Sequence, residues 1–158
     1  MNWRKCKPYL YGIGITETVG FLSGILSKKG MQRYDLTVNK PPLTPPMIVF
    51  PIVWGTLYAL MGISAVRIFR SPRSLRRSWG LNLFIVQLIL NFFWSLIFFN
   101  AAAYGLATAW LFVLWATAIG MIWLFYGVDR LAAWLQVPYL VWLTFAGYLT
   151  VGVWALNG

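Results

Sequence analysis

Five apolar stretches, each long enough to cross a lipid bilayer, constrain this chain more than any other feature. A helix needs about 20 residues to cross the hydrocarbon core, and acidic or basic residues are almost absent from these stretches. The chain is 60% hydrophobic and only 10% charged, which is far from the composition of a soluble domain. We therefore predict an all-α integral membrane protein, a single domain formed by a bundle of five transmembrane helices. The predicted spans are residues 9–26, 47–68, 81–99, 105–126 and 132–156.

The basic residues indicate how the chain sits in the membrane. The net charge is +10, and nearly all the Lys and Arg flank the apolar stretches, where they meet lipid headgroups. No nucleic-acid-binding motif accompanies them. Nine of the 13 lie on the side of the N-terminus, five of these in a predicted basic loop at 67–77. The positive-inside rule then predicts a cytoplasmic N-terminus in a bacterial cell membrane, with membrane lipids as partners.

Reactive side chains are few. The chain has no His and one cysteine, Cys6, and its three acids, Glu17, Asp35 and Asp129, lie in separate segments. Neither a metal cluster nor a catalytic triad nor a carboxylate pair can be assembled from this set. A haem iron would lack its commonest protein ligand. We predict no metal site and no obligatory cofactor.

The first span carries two unusual features. Glu17 lies within it, and an ionisable side chain at such a place either serves a function or pairs with a neighbouring helix. Thr16, Gly20 and Gly24 recur every four residues. Such a row of small residues lets another helix approach closely, within one subunit or between two.

The stretch from Lys40 to Gly62, KPPLTPPMIVFPIVWGTLYALMG, places five prolines before and within the start of the second span. Proline at this density does not fit a helix interior. We predict a rigid extended segment that ends the longest loop, residues 27–46, and forms a lid over the membrane beneath it. Trp54 and Tyr58 follow on one helix face. Such an aromatic stripe is typical either of helix packing or of a pocket wall.

Depth in the membrane relates this stripe to two other helices. At about 1.5 Å per residue, Trp54, Asn91 and Trp142 all lie in the half of the membrane beneath the proline-rich loop. Asn91 is expected to bond either a neighbouring helix or a ligand. A mostly apolar pocket with a few polar groups suits a flat hydrophobic ligand. The predicted ligand-binding residues are Pro42, Leu43, Phe50, Trp54, Tyr58, Gln87, Asn91, Trp94, Trp142, Phe145, Ala146 and Leu149.

The same stretches resemble the TspO/translocator protein family, also called tryptophan-rich sensory proteins or peripheral benzodiazepine receptors. The matching segments are residues 40–62, 87–99 (QLILNFFWSLIFF) and 129–157. The resemblance implies a bundle of five transmembrane helices, commonly a homodimer. It also implies binding of porphyrins such as protoporphyrin IX, and of synthetic isoquinoline carboxamides and benzodiazepines.

The resemblance assigns a lid to the proline-rich loop and pocket positions to Trp54, Asn91, Trp142 and Ala146. Pro42 or Leu43 stands where many members have Trp, so one aromatic wall of the pocket is expected to be missing. The sterol motif of animal members requires Lys or Arg near the C-terminus, and no basic residue follows Arg130. Sterol binding is therefore not predicted as the main role.

Three functions remain open from the sequence. The first is a sensory or binding protein for tetrapyrroles, with loop cations such as Lys40 facing a ligand carboxylate. The second is an enzyme for light- and oxygen-dependent porphyrin degradation, as the resemblance allows, with Trp54 and Trp142 as candidate redox-active residues. The third, a porphyrin or lipid transporter, has little support beyond Glu17. No catalytic residue is firm, and we predict a binding protein before an enzyme.

Overall fold

The computed structural model describes residues 3–158 and consists of five long helices. All five are long and apolar enough to cross a membrane, and no strand occurs among the described residues. The predicted all-α membrane architecture is confirmed. The helices are α1 (Trp3–Thr37), α2 (Val49–Arg70), α3 (Leu75–Ser95), α4 (Tyr104–Tyr126) and α5 (Arg130–Asn157), and a π-helical turn (Leu96–Asn100) extends α3.

The helices follow the order α1, α2, α5, α4, α3 around the bundle, and the π-helical turn closes the ring against α1. Helices in lipid associate chiefly through close packing, because lipid tails are as apolar as leucine. The centre of the bundle is filled accordingly by medium-sized apolar side chains with no exposed surface. These include Met61, Leu114, Ala118, Met121 and Val153.

The first two helices touch through glycines at one end of the bundle. A Cβ atom on Gly62 would lie 2.7 Å from the carbonyl oxygen of Gly12, so this crossing requires residues without side chains. One turn further, the Thr16 hydroxyl donates to the backbone carbonyl of Tyr58 at 2.6 Å. Part of the small-residue row in the first span is therefore used inside the subunit.

The predicted first loop is too long. Residues 27–46 were expected to be a loop, but α1 continues to Thr37 and the connection covers only residues 38–48. The charged residues of this segment suggested a loop because they are unsuited to the hydrocarbon core. In the structure, Lys28, Lys29, Arg33 and Asp35 lie on α1, which continues beyond its apolar part to Thr37.

Contacts with the π-helical turn explain this extension. The Arg33 guanidinium donates to the carbonyls of Phe99 (2.7 Å) and Asn100 (3.0 Å). The Asn100 amide donates in turn to the carbonyl of Leu26 at 2.8 Å. The ring of Tyr34 packs on that of Phe99, with centroids 5.4 Å apart. These contacts stabilise a helical conformation that the local sequence does not predict.

The predicted basic loop at 67–77 is also mostly helical. The connection covers only residues 71–74, and Arg73 is the one arginine within it. α3 thus begins six residues before its predicted span, whereas α2, α4 and α5 begin and end within two residues of theirs. The Arg77 side chain donates to the carbonyl of Ile68 at 3.1 Å. An arginine near a helix C-terminus stabilises carbonyls that lack a partner in the helix.

Candidate functional site

A cavity of about 570 Å³ lies between α1, α2 and the end of α3. Pockets for small ligands span about 300–1,000 Å³. The loop and α2 contribute Met47, Phe50, Pro51, Trp54, Gly55 and Tyr58, and α3 with its π-helical turn contributes Trp94, Ser95 and Phe99. From α1 come Glu17, Gly20, Phe21, Ser23, Gly24, Ile25, Ser27, Lys28 and Met31.

The space arises because α1 and α2 separate toward the proline-rich loop. The ring of Tyr58 occupies the place that a side chain at Gly20 would need. Beyond this contact, a Cβ atom on Gly24 or Gly55 would meet no atom within 4 Å. α1 and α2 therefore touch through Gly12 and Gly62 at one end, and further along the ring of Tyr58 lies between them. Beyond that ring, Gly24 and Gly55 leave the space between the helices unfilled.

Trp54 is the centre of the aromatic wall. Its ring centroid lies 5.6 Å from that of Tyr58, 6.3 Å from that of Tyr139 and 6.5 Å from that of Trp142, the last in an edge-to-face arrangement. Trp142 also contacts the Phe50 ring, at 5.9 Å. Edge-to-face pairs of this kind hold rings in fixed orientations. Trp142 thus supports the wall from α5 but does not itself line the cavity.

Two residues of the wall, Ser27 and Trp94, have a buried polar atom without a partner within residues 3–158. The indole N–H of Trp94 is buried and unbonded within residues 3–158, as is the side-chain amide N–H₂ group of Asn91 one turn earlier. The Trp94 ring is fixed by stacking on Phe98 at 5.1 Å. The Gln87 carbonyl accepts from the Tyr139 hydroxyl at 2.7 Å, while its own N–H₂ group has no partner. Gln87 is part of the helix packing, whereas Trp94 lines the cavity with its ring and its covered N–H lacks a partner.

Two ionisable side chains also line the cavity, and both come from α1. Glu17 and Lys28 make no salt bridge within residues 3–158. Lys40, which was expected to be available to a ligand carboxylate, is instead paired with Asp35 at 2.7 Å. In the described part of the chain, no group of three or more His, Cys, Asp or Glu residues is placed to hold a metal ion. The cavity is therefore apolar with one acid and one base at its α1 side.

The proline-rich loop is fastened to the end of α5. Pro41 is buried and lies on Gly152, where a Cβ atom would come within 2.6 Å of the proline ring. The Tyr148 hydroxyl donates to the carbonyl of Pro42 at 2.8 Å. The missing side chain at Gly152 allows this docking, which holds the loop against the end of α5.

A side-chain amide completes the fastening. Asn157 accepts from the Asn39 backbone N–H (3.0 Å) and donates to the Asn39 carbonyl (2.8 Å). Leu43 lies at the loop tip with a positive φ of 67° and 81% of its surface exposed. Within residues 38–48, Met47 is the residue that lines the cavity.

Comparison with known proteins identifies the family. The model of the TspO/MBR family matches residues 12–155, which is nearly the whole chain. The chain belongs to the TspO/MBR family. The family predicted from the sequence is thereby confirmed, and with five membrane-spanning helices the protein is an integral, multi-pass membrane protein.

Relatives in the TspO/MBR family come from bacteria and animals. The chain is 33% identical over 157 residues to the tryptophan-rich sensory protein of Cereibacter sphaeroides, an alignment that covers 99% of this chain and 94% of that one. It is 38% identical over 127 residues to protein CrtK of Rhodobacter capsulatus, covering 78% of each. The translocator protein of Sus scrofa is 35% identical over 157 residues, covering 95% of this chain and 92% of that one.

The structure separates the predicted site residues into two groups. Phe50, Trp54, Tyr58 and Trp94 line the cavity. The residues predicted on α5 do not line the cavity. The ring of Phe145 packs on Trp142 at 5.5 Å, and Ala146 and Leu149 are buried in the bundle. Contact with a ligand remains a prediction for every one of these positions. Those outside the cavity wall are Pro42, Leu43, Gln87, Asn91, Trp142, Phe145, Ala146 and Leu149.

Sequence reasoning missed the contribution of α1 to this TspO/MBR cavity. Half of the lining residues come from that helix, yet the predicted site contained none of them. The available signals were Glu17, for which a function or pairing with a neighbouring helix was left open, and the small residues Gly20 and Gly24, which were assigned to helix packing. An intramembrane acid beside a row of small residues indicates a helix that borders a space.

Proposed function

We propose that this protein is a membrane sensory or binding protein for tetrapyrroles, such as protoporphyrin IX, and for other flat hydrophobic ligands. The observation that carries the proposal is the buried, unpaired indole N–H of Trp94 in an aromatic-lined cavity. An unpaired donor in an apolar site is costly unless a ligand or water accepts from it. A ligand with a broad apolar face and an acceptor oxygen satisfies both features.

Protoporphyrin IX has this chemistry, because it is a planar aromatic macrocycle with two propionates. The rings of Trp54, Tyr58 and Phe99 would contact the macrocycle. Trp94 would donate to an acceptor atom, and Lys28 would pair with a propionate where the cavity borders α1. With no His in the chain, the free-base porphyrin suits the site better than haem.

The proposal is tested by titrating the purified protein with protoporphyrin IX and following the porphyrin absorption band. Trp94→Phe keeps an aromatic ring, although a smaller one, and removes the donor, and we expect about a tenfold loss of affinity. Trp115→Phe is the matched control, because that indole donates to Thr144 at 2.9 Å between α4 and α5. It should bind like the parent protein. Absence of saturable binding, or equal losses in the two variants, would contradict the proposal.

Light- and oxygen-dependent porphyrin degradation is a second candidate for the same cavity. The observation that favours it is that Trp54 lines the cavity and also contacts Trp142, so an oxidisable indole at the ligand has a second indole behind it. Molecular oxygen would be the oxidant and the macrocycle the group oxidised. A single defined product whose yield falls in Trp54→Phe, but not in Trp115→Phe, would support an enzyme. A mixture that is independent of either residue indicates nonspecific photobleaching.

We also propose a cytoplasmic N-terminus in a bacterial cell membrane, supported by the distribution of basic residues. Cys6 is the only cysteine of the chain, so a membrane-impermeant maleimide applied to spheroplasts reports the side of α1 on which it lies. We expect labelling only after lysis. A Cys6→Ser, Asn39→Cys variant places the thiol on the opposite side and should be labelled in intact spheroplasts; the reverse pattern would invert the topology.

The homodimer implied by the family resemblance is likewise a proposal. The outer faces of all five helices expose large apolar side chains, which lipid or a second subunit covers equally well. Sedimentation equilibrium in density-matched detergent measures the protein mass directly. A mass of one chain across the accessible concentration range would contradict the dimer.

A further inference from the structure

The outer face of α4 and α5 carries two apolar grooves. The larger, of about 440 Å³, is called here the threonine groove and contains Thr108, Trp115, Thr144 and Gly147. The smaller, of about 300 Å³, is called the arginine groove and lies near the turn between the two helices. Its main lining residues are Ile122, Trp123, Tyr126, Trp134, Val137 and Leu140.

Two guanidinium groups lie against the aromatic rings of the arginine groove. Arg76 lies 4.5 Å from the ring centroid of Trp123, and Arg130 lies 5.4 Å from that of Tyr126. The Arg76 side chain occupies the place that a side chain at Gly127 would need. The arginines therefore lie beside the groove, at the helix ends where aromatic residues meet the membrane surface.

Neither arginine is neutralised by the protein. The ion pairs within residues 3–158 are Lys40–Asp35 and Arg67–Asp129, so the charges of Arg76 and Arg130 have no acidic partner there. The chain has only three acids, and two of them are already paired. A second copy of the chain therefore lacks the carboxylates needed to cover this surface.

We propose that the arginine groove binds an anionic glycerophospholipid. One acyl chain lies in the groove between Trp123 and Trp134, and the phosphate accepts hydrogen bonds from Arg76 and Arg130. Guanidinium groups bind phosphate through paired, charge-assisted hydrogen bonds, and a cation near the membrane surface favours anionic lipid. The groove supplies the apolar contact and the arginines select the headgroup. The site is separate from the cavity and does not depend on the function proposed above.

The test measures retention of phosphatidylglycerol by native mass spectrometry after titration into the full chain in neutral detergent. The variant is Arg76→Gln/Arg130→Gln, and the matched control is Arg4→Gln/Arg73→Gln, which removes the same charge from the same side of the membrane away from the groove. We expect about a 30-fold loss of affinity in the groove variant and less than a twofold change in the control. Equal losses would show that only total charge matters and would overturn the proposal.

Two further measurements separate the possible occupants. Val137→Trp fills the groove and leaves both arginines in place, so it should also weaken phosphatidylglycerol binding. Glycerol phosphate, which has the headgroup chemistry without acyl chains, should not compete. Equal retention of phosphatidylcholine or cholesterol, or full binding by Val137→Trp, would contradict an anionic lipid in this groove. An unchanged far-ultraviolet circular dichroism spectrum and a single unchanged peak in size-exclusion chromatography report that each variant is still folded.

Discussion

The cavity beside α1 and the threonine groove between α4 and α5 are both apolar openings in one bundle, but their polar atoms differ. In the groove, the indole of Trp115 donates to Thr144, whose hydroxyl donates to the carbonyl of Leu140 at 2.9 Å. In the cavity, the indole N–H of Trp94 has no partner within residues 3–158. An unbonded polar group is costly in apolar surroundings. We infer that the bonded indole of Trp115 belongs to a surface that faces lipid, whereas the unbonded indole of Trp94 belongs to a wall that can bind a polar ligand atom.

Filling each opening with a large side chain should show the largest difference between the cavity and the threonine groove. Gly55→Phe adds a ring to the cavity, where the glycine has no neighbour within 4 Å, and Gly147→Phe adds one to the threonine groove, where the nearest atom lies 3.8 Å away. We expect protoporphyrin IX affinity to fall about 100-fold in the first variant, or about 3 kcal/mol, and to stay within about twofold in the second. Equal losses would place the ligand elsewhere.

Gln136 does not fit this difference between the cavity and the threonine groove. It is fully buried and both polar atoms of its side chain lack partners, yet it lines neither the cavity nor a groove. Because this amide is unbonded, Gln136→Met should raise the free energy of unfolding by about 1–2 kcal/mol. Gln87→Met should lower it by about 1 kcal/mol, because the Tyr139 hydroxyl loses its acceptor.

Reversible unfolding in mixed micelles measures both changes. A loss of stability in Gln136→Met would mean that bound water or lipid satisfies this amide. In that event an unpaired atom does not by itself mark a ligand site, and the case for the cavity would rest on its aromatic wall and its volume.

A smaller effect concerns the proline-rich loop, which contributes Met47 to the cavity wall and is fastened to Tyr148 and Gly152, two residues that line the threonine groove. Asn157→Ala removes both hydrogen bonds to Asn39, and we expect protoporphyrin IX to dissociate about fivefold faster, which corresponds to about 1 kcal/mol. Thr117→Ala, whose hydroxyl bonds only its own helix at Val113, is the control. Stopped-flow displacement measures the rates; identical rates in all proteins would show that the loop does not retain the ligand.

The sequence indicates the position of a residue along its helix more readily than the direction in which the side chain points around the helix axis. Apolar length locates a residue along the helix axis, and Trp54 and Trp142, which were predicted at similar depths, do contact each other. Their positions around the helix axes depend on which helices are neighbours. In the structure Trp142 stands behind Trp54 and Asn91 lies outside the cavity wall, a difference of one side-chain layer that no periodicity shows.

The contribution of α1 was harder to predict for a different reason. Gly20 and Gly24 contribute to the cavity because they lack a side chain. A search of the sequence for binding residues looks for aromatic, polar or charged side chains and therefore passes over glycines. The helical extension past residue 26 depends on Arg33 and Tyr34 meeting the π-helical turn. Such long-range contacts override the local charge pattern that suggested a loop.

The π-helical turn has a consequence for chain length. A π-turn contains one more residue than an α-turn, and here it forms the last turn of the third helix. Deleting one residue earlier in α3 would rotate all that follows by about 100° and misplace both Trp94 and Phe99. Deleting one within residues 96–100 would leave Trp94 in place but shift Phe99 and Asn100, whose carbonyls bind Arg33. The extra residue of this turn therefore sets the contact between the end of the third helix and α1.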